Sequence, residues 1–256
     1  MRRTYWLTAP ALVLALVIAC GGKEGETAPK GVTASCENVD NLSSYRYTIT
    51  VKLQSPAFQT TPGAATSAPL GSFADTLAAL LSDFNIDGSH VAPDRTQAVL
   101  HFQSDEVELR AIGDKRWERF GDTWEEQKLT TPEIGFLTPG VVCNEIVQEI
   151  ASGLDGATAA DESVNGVKTR RYTLDKTGLS KLPGLLGADA KTKLPEKFQV
   201  DVWLAKDGDW PAKLDVNAED KDGQGKPIAV KLYMELRDFG DKTITIEAPV
   251  LNSPGR

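Results

Sequence analysis

The sequence predicts an α+β protein built on one strongly bent antiparallel sheet, an incomplete barrel, with short helices filling or capping its concave face. Apolar residues alternate with polar ones at period two through about ten short segments, each long enough for a strand. Only two or three segments change to helical period, too few to cover both sides of such a sheet. Gly, Asp and Asn close most of the gaps between strands, as in antiparallel hairpins. A sheet with one apolar face and few helices must curl around them, so the enclosed space is either packed core or a pocket of lipid size.

The chain opens with Arg2 and Arg3, followed by an uncharged apolar run from Ala9 to Ala19, the pattern of an export signal. The run is shorter than the roughly 20 residues a membrane span needs. Ile18 and Ala19 directly before Cys20 resemble the lipobox of bacterial lipoproteins. That resemblance implies cleavage after residue 19, acylation of Cys20 and a protein held at the cell membrane from its extracytoplasmic side. The alternative is a secretory signal that happens to contain a cysteine. Residues 20–34 carry almost nothing large and apolar and read as a flexible tether. Residues 35–250 form one domain and 251–256 a tail.

Tyr45, Tyr47, Ile49, Val51 and Leu53 alternate with Arg46, Thr48, Thr50 and Lys52, which predicts a half-buried strand. A stretch rich in Pro, Thr and Ala follows Gln54. Within it, Phe73, Leu77, Leu80, Leu81 and Phe84 share one helical stripe behind Ser72 as N-cap. This helix is either simple packing or a lid. Segments 96–102, 106–112, 116–120 and 123–127 read as a meander, and 140–154 as a helix burying Cys143, Ile146, Val147 and Ile150. Segments 156–164 and 167–175 form a hairpin about Asn165-Gly166, and 177–186 is a second short helix interrupted by Pro183. Strands centred on Val200–Val202, Leu214–Ala218 and Ile228–Leu236 then follow, and Thr243–Glu247 reads as a last strand.

Removing the leader leaves 237 of 256 residues, enough for a substantial core, with 26 basic residues against 36 acidic ones. That balance argues against nucleic acid and an anionic bilayer as electrostatic partners. Besides Cys20, the cysteines are Cys36 and Cys143, an even pair in an exported chain. They are read as a disulfide closing a loop of about 107 residues, or else as two separate buried thiols.

Chemistry of an enzymatic kind is not visible. His90 and His101 have no Cys or carboxylate at metal-ligand spacing, and no nucleophile elbow, phosphate loop or dinucleotide fingerprint occurs. The chain is therefore expected not to be an enzyme and to need no cofactor. Trp117, Trp124, Trp203 and Trp210 are either cross-strand packing or a platform for a glycan or protein partner.

Ser44-Tyr45-Arg46-Tyr47-Thr48-Ile49, the segment Asn165 to Leu174, Val202-Trp203-Leu204 through Trp210-Pro211-Ala212-Lys213-Leu214, and the ending Leu236 to Pro249 resemble the LppX/LprG group of actinobacterial lipoproteins. The resemblance spans roughly residues 31 to 250 and departs from the group between Gln54 and Val91. It implies the bent half-barrel of the LolA/LolB lipoprotein carriers, a long-chain lipid or glycolipid as ligand and an envelope transporter as partner. The inward residues Ile49, Val51, Leu53, Val200, Val202, Val230, Leu232 and Met234 are then expected to line a hydrophobic cavity, with Phe73, Leu77 and Leu80 as its lid. The other functional class open to the same fold is a sensor or scaffold with a filled core that binds a protein at the membrane surface.

Overall fold

A computed structural model describes residues 26–27, 32–54, 83–102, 105–127, 138–175, 195–221 and 224–251. Among these residues twelve strands form one antiparallel sheet. They are β1 (Glu26–Thr27), β2 (Ser44–Gln54), β3 (Asp83–Val91), β4 (Arg95–Phe102), β5 (Asp105–Ile112), β6 (Lys115–Phe120), β7 (Thr123–Gln127), β8 (Thr158–Val164), β9 (Val167–Asp175), β10 (Lys197–Ala205), β11 (Pro211–Lys221) and β12 (Pro227–Arg237). Their order is β1-β8-β9-β10-β11-β12-β2-β3-β4-β5-β6-β7, with β1 and β7 at the two edges, so that among the described residues the sheet does not close.

The sheet nonetheless rolls. Asn165, in the β8–β9 turn, donates from Nδ2 to the Leu236 carbonyl of β12 at 2.8 Å. Three strand spacings separate β9 from β12, about 14 Å in a flat sheet. Only curvature brings the two within reach of one side chain. The turn itself follows from sequence, since Asn165 (φ 49°) and Gly166 (φ 83°) both take the left-handed backbone that a two-residue hairpin requires.

The apolar face lies inside the roll. Helix α1 (Glu37–Asp40) closes one end, and α2 (Pro139–Val142) continues through a π-helical turn (Cys143–Val147) into α3 (Gln148–Ser152) across the inner face. Thr138 caps this helix by accepting from the Val141 amide. Val142, Cys143, Val147, Ile150, Ala151 and Leu154 face inward at helical spacing and pack with Tyr45, Tyr47, Ile49, Val202 and Met234 in one core. Cys36 and Cys143 are joined, with Cα atoms 5.5 Å apart, so that α1 is clipped to the covering helix.

Two expectations are corrected. The helix expected over residues 72–84 does not include Asp83 and Phe84, which begin β3 and pair with Lys52 and Val51. Thr243–Glu247 forms no strand. It runs over the polar face, where Arg95 and Arg110 donate to the Ile246 and Glu247 carbonyls at 3.0 and 3.1 Å and satisfy them in place of a partner strand. Its alternation is real, because Ile244 and Ile246 are both buried. The helix expected over residues 177–186, and Phe73, Leu77, Leu80 and Cys20, lie outside the described residues.

Candidate functional site

The antiparallel register aligns inward side chains in rows that cross the strands. The deepest of three rows, nearest α1, is Val202, Leu214, Met234, Ile49 and Ile86. Each is at most 1% exposed. The middle row is Val200, Val216, Leu232, Val51 and Phe84. Its two ends are buried, and its three central residues, on β11, β12 and β2, are only half-buried. The outer row is Phe198, Ala218, Val230 and Leu53, of which Val230 is 39% exposed.

These rows end where β2, β9 and β11 finish and β3, β10 and β12 begin. The sheet therefore carries a half-covered apolar trough at the end opposite α1, two rows deep and four strands across. Such a surface is costly to leave in water, at about 25 cal/mol per Å² of apolar area. Contiguous apolar surface of this kind marks a binding site more often than scattered exposed residues do.

The residues expected to line a cavity thus fall into two groups. Val51, Leu53, Val230 and Leu232 border the trough, whereas Ile49, Val200, Val202 and Met234 are fully packed and touch no open space. Phe198, Val216 and Ala218 complete the floor. Their alternation is visible in the sequence, but their place beside Val230 and Leu232 is set by register.

The opposite face is polar and bound to itself. Glu108, 6% exposed, accepts from Arg110, Arg119 and Gln97, and Arg110 lies 4.6 Å from the Trp124 ring centre. Trp203 donates to Glu162 at 2.7 Å and is flanked by Arg171 and Lys213. Burial raises the Asp201 pKa, but hydrogen bonds from Arg171, Thr173 and Gln199 outweigh it and hold the carboxyl below its usual range. Trp117, Trp203 and Trp210 are buried and Trp124 half-buried, so the four tryptophans are not an open platform for a sugar ring.

Among the described residues, clefts of about 310 and 540 Å³ lie on this side and near the α1 end. The first is lined by Arg46, Asp87, Ser89 and Gln97, the second by Asn165, Arg237 and Asp238, groups that suit water better than an acyl chain. His101 sits on the polar face beside Glu106, whereas His90 is buried and stacked on Tyr45 with ring centres 5.1 Å apart. Among the described residues no group of three His, Cys, Asp or Glu could hold a metal ion. Among those residues, too, no helix is long and apolar enough to cross a membrane.

No protein-family model matches the sequence, and no curated protein is significantly similar to it. Similar solved structures exist, each of low identity. LprF from Mycobacterium bovis is 13% identical with a TM-score of 0.41, over 84% of this chain and 93% of that one. A DUF1329 family protein from Desulfovibrio piger is 11% identical with a TM-score of 0.27, over 82% and 90%. The LolA superfamily protein NE2245 from Nitrosomonas europaea is 13% identical with a TM-score of 0.26, over 82% and 95%. Likeness at this level carries no site residue or ligand over to this chain, whose function has to be argued from its own geometry.

Proposed function

We propose that this chain is a non-enzymatic lipid carrier: an extracytoplasmic lipoprotein, tethered to the cell membrane through acylated Cys20, that shields long acyl chains on the inner face of its sheet. The observation that carries the reading is the half-covered trough of Val51, Leu53, Phe198, Val216, Val230 and Leu232, continuous with a packed core. A floor that among the described residues is hydrocarbon favours hydrocarbon, and its affinity comes from area removed from water rather than from oriented polar contacts. Chain chemistry would be read loosely. The helix expected around Phe73, Leu77 and Leu80 would serve as lid, and an envelope transporter would receive the cargo.

Val230→Trp tests this directly. Val230 is 39% exposed, so the larger side chain is accommodated without disturbing the core, yet it occupies the trough. Uptake of a fluorescent fatty acid should fall at least tenfold with the circular dichroism spectrum unchanged; undiminished uptake refutes the site. Val202→Trp is the contrasting variant. Val202 has no free space, so there the change overpacks the core and costs about 1–3 kcal/mol of stability.

The full packing of Val202, Leu214, Met234 and Ile49 favours one second reading, a sensor or scaffold with a filled core that uses the trough to dock a protein at the membrane surface. It predicts a folded chain that takes up no lipid.

A further inference from the structure

We infer that the trough takes a single acyl chain lying across the strands, so that the cargo is a single-chain amphiphile such as a fatty acid or a lysophospholipid. This rests on the carrier reading and adds to it the number and direction of the tails.

The direction follows from the gradient of burial. A tail running along the strands toward α1 meets Val202, Leu214, Met234 and Ile49 within one row, and all four are already in full contact with the core. Interiors packed to that degree do not yield a channel without moving side chains. Across the strands, no described side chain of the fully packed row interrupts the line from Phe198 on β10, over Ala218 and Val230, to Leu53 on β2. Buried Val200 and Phe84 stop the middle row at its two ends.

The dimensions agree. Followed along the curve of the sheet, three strand spacings from β10 to β2 amount to about 14 Å. A bilayer core about 30 Å thick holds two leaflets, hence about 15 Å for one chain. The two open rows are two residues apart along the strands, about 7 Å. Carbon atoms touch at about 4 Å, so one chain laid between the rows contacts both. Among the described residues a second chain has no apolar floor, because the next row inward is closed and the next position outward pairs Ile228 on β12 with the carboxylate of Asp220 on β11. A diacyl lipid would bury one tail and leave the other in water.

The test compares palmitoyl lysophosphatidylcholine with dipalmitoyl phosphatidylcholine, which share headgroup and tail and differ in tail number. Native mass spectrometry of the full chain, titrated with each, should give one lysolipid per chain, bound at least tenfold more tightly than the diacyl lipid. The adduct should disappear in Val230→Trp and in Val230→Asp, which blocks by charge rather than by bulk. Equal binding of the diacyl lipid, two lysolipids per chain, or a lysolipid adduct that survives both substitutions overturns the single-chain inference while leaving lipid binding in place. A folded chain that binds neither lipid overturns the carrier reading together with it.

Discussion

The bridge between Cys36 and Cys143 ties the first turn of the domain to the helix that fills the roll. Both residues are buried, and 107 positions separate them in sequence. In the chain-entropy model, cross-linking a loop of that length removes about 16 cal/mol/K from the unfolded ensemble, or about 4.8 kcal/mol at 25 °C. For a domain of this size each kcal/mol moves Tm by about 2–4 °C, so losing the bridge should lower Tm by about 10–20 °C. Cys36→Ala, Cys143→Ala and the double variant all lose the same cross-link, so their urea midpoints should lie close together and far below that of the oxidised protein. The slope of the transition should change as well, because the unlinked chain exposes more surface on unfolding. A double variant within about 1 kcal/mol of the parent would refute the claim that this clip closes the unfolded chain.

Two further predictions concern the α1 end of the sheet. A Cβ on Gly88 would collide with Cζ of Tyr47, whose ring lies across it and is fully buried. Gly88→Ala should therefore cost about 1–3 kcal/mol by overpacking. Combining it with Tyr47→Leu should cost less than the sum of the single changes, since the two residues share one space; strict additivity in urea denaturation would disprove the contact. Burial holds the His90 pKa below 6.5, against the opposing pull of the Asp40 carbonyl and the Asp40 and Asp94 charges. A depressed histidine contributes stability that is complete above its ordinary pKa and is lost as pH falls below about 6.5. Stability should thus fall between pH 7 and 5 in the parent and less steeply in His90→Gln; parallel pH profiles would remove His90 from the account.

Strong alternation made most of the fold legible. Strands β2, β10, β11 and β12 carry apolar residues at every second position, and their limits agree with the period of the sequence within a few residues. The covering helix announced itself by a change of period around Cys143. Strand β3 was hidden because its inward positions are Phe84, Ile86, Gly88 and His90, and its outward ones include Asn85, Asp87 and Ser89. Gly88 is there because the Tyr47 ring fills the place of its side chain, a requirement that no local pattern expresses. Ile244 and Ile246 alternate as a strand does, yet they bury against the polar face, and arginine side chains hold their segment's carbonyls. The site was half legible for a similar reason. Which residues point inward is a property of each strand alone, whereas which of them remain uncovered depends on register and on how far the covering helix reaches.

Mass spectrometry of the organic extract from the purified, folded chain addresses the central claim most directly. A carrier with an apolar trough should yield lipid in stoichiometric amount, retained through washing and released on unfolding. An extract free of lipid, from protein that remains folded and that stays empty after incubation with lipid vesicles, would contradict lipid carriage and leave the trough as a surface for a protein partner.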